Sequence, residues 1–210
     1  ERSRVRPQRH SDNRLIQMSY GSPEDRQYED TRLSQGSRFL VVADVSSFFP
    51  SIYSHAIDWA LRGRSVAKSA LKAKTWQSDL DTYVRNCHHG ETKGLLIGPA
   101  IANVLAEIVA QRVDAAISKP GLRFVRYIDD YRAYCTSREE AEDFIVSLQR
   151  ELANYRLDLN TRKTRILDLS RGNEDQWISA VHAHFPRANS ALEEARFLRF
   201  CERIALENPD

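Results

Sequence analysis

The hydrophobic residues of this chain fall into short runs separated by polar breaks. Residues 38–45, RFLVVADV, form a continuous apolar run that ends in an acid, which predicts a buried strand with Asp44 at its exit. Residues 122–128 and 131–135 alternate apolar and polar positions on either side of two adjacent aspartates, and this pattern predicts a β-hairpin. A further strand is predicted over residues 163–169.

Hydrophobic positions three and four residues apart predict helices between these strands. The predicted helices cover residues 54–68, 79–89 and 137–156, and residues 94–117 are predicted to open with a glycine-proline turn and to continue as a helix. Residues 1–37 show little periodicity and predict an irregular region, while two helical stretches are expected after Asn173. Strands that alternate with helices and include a hairpin predict an α+β fold, with an antiparallel sheet that has its helices packed on one face.

Composition narrows the class of protein without identifying its function. The 210 residues are 41% hydrophobic and 29% charged, which is typical of a soluble globular protein, and no apolar run approaches the roughly 20 residues of a membrane span. Three cysteines, an odd number, argue against a disulfide scaffold and favour a reducing cytoplasm. The net charge is only +2. The arginine-rich residues 1–14 either contact phosphate or form a solvated tail, and composition alone favours the tail.

Three acidic positions carry the candidate chemistry. Asp44 ends the first predicted strand, and Asp129 and Asp130 occupy the hairpin turn. Each feature alone fits an ordinary structural role, because aspartate favours turns. If the strands are neighbours, however, the carboxylates converge at one edge of the sheet, where divalent cations would neutralise them. Hard oxygen ligands suit Mg²⁺, and two ions about 3.5–4 Å apart would activate a 3′ hydroxyl and stabilise a leaving pyrophosphate.

Four sequence blocks occur in the order that they have in reverse transcriptases. They are VADVSSFFPSIY, KGLLIGPAIANVLAEI, RYIDDY and LDLNTRKTRIL, and together they resemble the polymerase palm of that family over roughly residues 38–170. FFPSIYSHAIDWALRGRSVAK and GPAIANVLAEI are more similar to the bacterial abortive-infection and defence-associated enzymes than to group II intron or retroviral ones. The resemblance implies an RNA-directed DNA polymerase that serves antiphage defence in the bacterial cytoplasm.

The resemblance assigns a metal site residue by residue. It implies that Asp44 and Asp129 ligate both metal ions, with Asp130 as the neighbouring, less direct carboxylate and Val45 as a further metal-binding position. The three aspartates are also the implied catalytic residues. Two Mg²⁺ ions are the implied cofactor, with Mn²⁺ as a substitute.

The resemblance also implies a nucleotide site. Phe49 matches the ring that stacks under the incoming sugar and excludes a 2′ hydroxyl. The alternative is that Phe48 and Phe49 both belong to the core, and strand-like alternation favours a core position for one of the pair. Gly98 and Pro99 match a turn where the backbone approaches the nucleotide or template base without a clashing side chain. Asn103 either faces the nucleotide or caps a buried backbone group.

Basic and aromatic residues complete the implied site. Lys163 matches the lysine near the triphosphate, where a cation offsets charge on the leaving group, and an ordinary surface lysine is the alternative. Arg14 is the candidate arginine of the fingers that contacts the triphosphate. Arg126 and Tyr127 flank the hairpin and are implied to reach the primer strand.

The resemblance divides the chain into three parts. Residues 1–37 are implied to be partial fingers or a basic N-terminal arm, residues 38–172 the palm, and residues 173–210 the start of a helical thumb or C-terminal domain. Residues 54–93 form a helical segment of fingers or palm within this arrangement.

The expected function is the addition of deoxynucleotides to a 3′ hydroxyl. The expected partners are deoxynucleoside triphosphates and an RNA or DNA template-primer, without a membrane. The resemblance also implies a homo-oligomer as one option, because some members of that family oligomerise. Two alternatives stay open. The same palm would make DNA without a template, with a protein hydroxyl as one candidate primer, or the chain would be an inactive module for nucleic-acid binding or oligomerisation.

Overall fold

The computed structural model of the chain describes residues 3, 6–8, 17–19, 23–69, 74–169 and 197–199. Its strands are β1 (Arg6–Gln8), β2 (Gln17–Ser19), β3 (Phe39–Asp44), β4 (Arg123–Tyr127), β5 (Asp130–Cys135) and β6 (Arg165–Asp168). Its helices are α1 (Pro23–Ser34), α2 (Phe48–Ser51), α3 (Ser54–Arg62), α4 (Arg64–Ser69), α5 (Trp76–Cys87), α6 (Ala100–Ile117) and α7 (Arg138–Asn154).

The chain divides into two units, Glu1–Leu167 and Asp168–Asp210. In the second unit the structure describes only residues 168, 169 and 197–199, so nearly all of the region predicted to be helical after Asn173 lies outside the described residues. The domain limits that the resemblance implies stay a prediction.

The first unit is organised around a four-stranded sheet with the order β4-β5-β3-β6. β5 pairs antiparallel with β4 and with β3, so the predicted hairpin is confirmed and the first predicted strand lies beside it. The register of β3 and β5 sets Asp44 directly opposite Asp130. β1 and β2 form a separate two-stranded sheet.

One face of the central sheet is covered by helices and forms the core. Strand alternation directs four side chains to this face that are at most 1% exposed, namely Val41, Ala43, Phe124 and Ala133. The helix α7 packs on them, and the Phe124 and Phe144 rings lie 5.6 Å apart between centroids. The Ser137 side chain caps α7 by accepting a hydrogen bond from the Glu140 amide at 3.2 Å. The predicted α+β class is confirmed.

A helix that the sequence pattern did not predict contacts the opposite face. The helix α1 lies in the region predicted to be irregular, and its sequence PEDRQYEDTRLS shows no apolar stripe. Its residue Asp30 accepts hydrogen bonds from Arg132 Nη1 and from the Tyr134 hydroxyl, both at 2.6 Å. The prediction of an irregular region was therefore wrong here, because polar contacts with the sheet hold a helix that hydrophobic periodicity cannot detect.

The predicted helices occur with shifted ends. The segment predicted as one helix over residues 54–68 is two, α3 and α4, because Gly63 between them adopts a φ of +91°. α5 begins at Trp76, before the predicted start, where Thr75 and Ser78 form a capping box. α6 begins after Pro99, its N-cap, so the predicted order of a glycine-proline turn followed by a helix is confirmed. Among the described residues, no helix combines the length and the apolar character that crossing a membrane requires.

The packing of α7 leads to a stability prediction. Leu148 is fully buried, and Leu148→Ala is expected to lower the free energy of unfolding by about 2–5 kcal/mol, because it removes apolar contacts and leaves a cavity. Val146 lies on the same helix and is 61% exposed, so Val146→Ala should change the value by less than about 0.5 kcal/mol. Urea denaturation measures both, and equal losses would contradict the assigned core face.

Candidate active site

The ends of two paired strands bring three aspartates together. Asp44 is the last residue of β3 and lies opposite Asp130, the first residue of β5. Asp129 precedes it in the hairpin turn, and the Asp129 carbonyl accepts a hydrogen bond from the Val45 amide at 3.2 Å. The antiparallel register therefore sets all three residues, and also Val45, at the same end of the sheet.

The segment before β6 holds the Asp44 side chain in place. Lys163 Nζ donates to Asp44 Oδ1 and Asn160 Nδ2 donates to Asp44 Oδ2, each at 3.0 Å. The backbone is tied as well, since the Asn160 amide donates to the Asp44 carbonyl at 2.8 Å and the Ser46 amide donates to the Asp158 carbonyl at 2.8 Å. Both oxygens of the Asp44 carboxylate are thus occupied by donors from one loop.

Asn160 was not among the predicted site residues. The alternating stretch LDL ends immediately before it, and a polar residue at such a break is the signal that could have identified it. It donates one hydrogen bond to the Asp44 carboxylate and one to the Asp44 carbonyl, so it orients this residue together with Lys163.

Burial and mutual repulsion act on the other two aspartates. Burial raises the pKa of Asp129 above its ordinary value, and the charges of Asp130 and Asp44 raise it further. Burial and the Asp44 charge likewise raise the pKa of Asp130. The hydrogen bond to Asp44 raises the pKa of Lys163, so this side chain stays protonated at neutral pH. The charge of Lys163 opposes both shifts and that of Arg132 opposes the shift of Asp130, but both pKa values stay raised.

The carboxylates are chemically suited to bind a divalent cation, but their side chains are not arranged around an ion in this structure. Three carboxylates supply the hard oxygen ligands that Mg²⁺ prefers, and after burial their mutual repulsion contributes to the raised pKa values of Asp129 and Asp130. Within the part of the chain that the structure describes, no three acidic, histidine or cysteine side chains converge closely enough to hold an ion. Asp44 faces Lys163 and Asn160 instead, so ion binding requires Asp44 to exchange these donors.

The two predicted phenylalanines differ in burial. Phe48 is 4% exposed and belongs to the core, which confirms the prediction that one of the two phenylalanines is a core residue. Phe49 is only partly buried, and its carbonyl accepts a hydrogen bond from the Leu95 amide at 2.9 Å. Through this bond the segment after β3 contacts the loop that leads to α6.

The predicted glycine-proline turn lies at the start of α6. Gly98 has a φ of +125°, and a Cβ added there would meet no atom within 4 Å, so the position requires glycine for its backbone conformation rather than for space. Pro99 is the N-cap of α6, and Asn103 is half-buried near the start of the helix. Arg14 lies outside the described residues.

Of the two residues that flank the hairpin, Arg126 does not fit its predicted role, and the role of Tyr127 stays a prediction. The Arg126 side chain is 0% exposed and is bound by Glu107 and Asp114 of α6, which argues against the predicted contact with a primer strand. Tyr127 is half-buried, and the guanidinium of Arg26 lies 3.7 Å from its ring centroid. Arg26 was not among the predicted site residues, because the sequence pattern did not predict the helix α1 that carries it.

The comparison with protein families decides the class. The family model described as reverse transcriptase (RNA-dependent DNA polymerase) matches residues 3–198. The chain belongs to the reverse transcriptase family. The description of this family, RNA-dependent DNA polymerase, is the enzyme class that the sequence predicts. No curated protein sequence matches this reverse transcriptase significantly.

Solved structures agree on the fold. The reverse transcriptase chain is similar to apo telomerase from Candida tropicalis, with a TM-score of 0.55 and 9% identity over 74% of this chain and 34% of that chain. It is also similar to telomerase from Candida albicans in complex with a TWJ fragment of telomeric RNA, with a TM-score of 0.48 and 13% identity over 71% of this chain and 31% of that chain. The chain thus spans about a third of the telomerase chains, and the first match confirms the palm fold alone.

The electrostatics of the site lead to a pH-dependent prediction. The folded-state pKa of Asp130 lies above the value of about 3.9 in an unfolded chain, so its ionisation at neutral pH costs folding free energy. Asp130→Asn avoids this cost and is expected to raise the melting temperature at neutral pH. The gain should shrink as the pH falls through the raised pKa, where the native carboxyl becomes neutral as well.

Differential scanning calorimetry over a pH series measures this effect. Asp44→Asn is the matched control, because it removes the ion pair with Lys163 and is not expected to stabilise the protein. Equal gains for the two variants at neutral pH would contradict the assigned charge balance.

Proposed function

We propose that this reverse transcriptase adds deoxynucleotides to a 3′ hydroxyl, with Asp44, Asp129 and Asp130 as the ligands of two Mg²⁺ ions. The observation that carries the proposal is the register of β3 and β5, which sets Asp44 opposite Asp130 with Asp129 beside it. Bound Mg²⁺ would polarise the hydroxyl and the phosphoryl oxygens of the nucleotide. Paired strands suit this role, because they fix the backbone that carries Asp44 and Asp130 before any ligand binds.

Lys163 is proposed to move between two partners. Its side chain is 66% exposed and meets the Asp44 carboxylate through its terminal nitrogen at 3.0 Å. Because it stays protonated, it can leave Asp44 and donate to the phosphates of an incoming nucleotide, where a cation offsets charge on the leaving group. The hydrogen bond from the Asn160 amide would keep the Asp44 backbone fixed during this exchange.

Phe49 is proposed to select deoxynucleotides. It lies on the short helix α2 just after Asp44, and its partial burial leaves part of the ring accessible. The neighbouring Phe48 is packed in the core, and the two rings meet edge to face with centroids 5.6 Å apart. A ring fixed in this way leaves no space for a 2′ hydroxyl and offers it no hydrogen-bond partner.

The finer assignments rest on sequence resemblance. Similarity of FFPSIYSHAIDWALRGRSVAK and GPAIANVLAEI to abortive-infection enzymes supports a role in antiphage defence in the bacterial cytoplasm. It also supports an RNA or DNA template-primer as the partner. Synthesis without a template and a catalytically inactive module are the competing functions, and one assay separates all three.

The assay is primer extension with an RNA template, a DNA template or no template, followed by sequencing of the product. Product complementary to the supplied RNA supports the proposal, whereas product of the same sequence in all three arms supports untemplated synthesis. Absence of product in every arm at millimolar Mg²⁺ or Mn²⁺ would support the inactive module.

Asp129→Asn tests the metal ligands. The variant is expected to lower the rate of nucleotide incorporation by about three orders of magnitude or more, since bound metal contributes several kcal/mol to transition-state stabilisation. Asp143→Asn, an exposed change on α7, is the control and should retain the native rate. Incorporation by Asp129→Asn at the native rate would exclude the proposed site.

Phe49→Val tests sugar selection. The smaller side chain is expected to raise the preference for ribonucleotides over deoxynucleotides by at least about tenfold, because a gain of roughly 1.4 kcal/mol in the ribonucleotide reaction suffices. The ratio of kcat/KM for the two nucleotides measures it. Phe48→Leu is the control, since it alters the core and should leave this ratio unchanged. A similar shift in both variants would show that general loosening, rather than Phe49, determines the selectivity.

A further inference from the structure

A buried arginine joins α6 to the hairpin that carries Asp129. Arg126 has five N–H donors, and every one of them has an acceptor. The Nε group donates to Asp114, and the two Nη groups donate to Glu107, to Asp114 and to the carbonyl of Ile128, at 2.8–3.1 Å. Because the side chain is 0% exposed, water cannot replace any of these bonds.

The backbone at Ile128 is strained. Its φ is +60°, in the left-handed region that a β-branched residue rarely adopts. Such a conformation persists only where the surroundings enforce it, and it is typical of functional sites. The Ile128 carbonyl accepts from Arg126 Nη1 at 2.8 Å, and the next residue is Asp129. The guanidinium therefore bonds to the peptide unit that links the strained residue to the aspartate.

The acids that hold Arg126 come from one helix face. Glu107 and Asp114 lie two turns apart on α6 and are 12% and 7% exposed. Burial alone would lower the pKa of Arg126, but its hydrogen bonds to Glu107 and the charge of Asp114 raise it above the ordinary value. Burial raises the pKa of Asp114, and the Tyr131 hydroxyl also hydrogen-bonds to this carboxylate. The cluster is thus a charged, fully bonded connection between helix and hairpin.

We propose that Arg126 is a positioning residue that fixes the left-handed turn at Ile128 and thereby presents Asp129 to the metal and nucleotide. This inference rests on the proposed function, since it assigns Arg126 to the same site. In this role Arg126 acts through the Ile128 carbonyl and does not itself contact substrate or ion. A lysine keeps the charge but has three donors from one nitrogen, so it cannot satisfy both acids and the Ile128 carbonyl with the same geometry.

The first test compares two identical substitutions on β4. Arg126→Lys is expected to lower kcat at least tenfold while KM for primer and nucleotide changes less than about threefold, because orientation rather than binding is lost. Arg123→Lys is the control and should retain the native kcat, since Arg123 donates to the Gln35 carbonyl and to Ser37 on the other sheet face. A native kcat in Arg126→Lys, or a loss confined to KM for primer, would overturn the proposal.

Hydrogen–deuterium exchange provides a readout that needs no activity. In Arg126→Lys, amides of residues 127–131 should exchange at least tenfold faster, while those of α7 keep their native rates. Unchanged exchange in the turn would overturn the proposal. If the native protein incorporates no nucleotide, the proposed function fails, and exchange still decides whether Arg126 fixes the turn.

A rescue experiment separates positioning from general stability. Glycine adopts a positive φ without strain. The double variant Arg126→Lys with Ile128→Gly should therefore regain at least half of the decrease in log kcat that Arg126→Lys alone causes. Failure of this rescue would show that Arg126 acts only by joining α6 to the sheet. Should Arg126→Lys not fold, Glu107→Gln replaces it, because this variant keeps an acceptor oxygen and weakens the same connection. It should show faster exchange of the turn and a lower kcat, and native values of both would overturn the proposal.

Discussion

Repulsion among three carboxylates at the end of two paired strands is the constraint on which the rest of the site depends. The register of β3 and β5 makes Asp44 and Asp130 neighbours, and the turn adds Asp129. Partial burial makes this more costly, as the raised pKa values of Asp129 and Asp130 show. Natural proteins retain such unfavourable arrangements where chemistry requires them, and the surrounding contacts supply the compensating stability.

Two cations support this end of the sheet in different ways. Lys163 is exposed and neutralises Asp44 directly, so it balances charge and can be displaced. Arg126 is fully buried and acts on the backbone of the turn, so it determines geometry and cannot be displaced without breaking a bonded cluster. One cation therefore adjusts the charge of the site and the other fixes its shape, and neither could take over the role of the other.

The sequence predicted those parts of the fold in which burial follows periodicity. The hairpin and α7 place most of their apolar residues on one face, and the strand that ends in Asp44 is a continuous apolar run that is buried on both faces, so their patterns were decisive. The helix α1 has no such face and was missed. Arginine is rarely buried unless paired, and its partners Glu107 and Asp114 come from a helix whose rotation the sequence does not reveal. The positive φ of Ile128 was equally hidden, because its residue type disfavours that conformation.

The exposed position of Lys163 also bears on how quickly the site can respond. Its ammonium group is bound to Asp44 at the tip of a flexible, largely solvated side chain, whereas the Asn160 backbone bond keeps the strand end in place. Opening the carboxylate therefore requires rotation about side-chain bonds and no movement of a strand or helix. Exposed side chains rotate within picoseconds to nanoseconds, many orders of magnitude faster than a typical enzyme turnover. The contact of Lys163 with Asp44 Oδ1 is thus a rapid local equilibrium, while the half-buried Asn160 amide group remains bound to Oδ2.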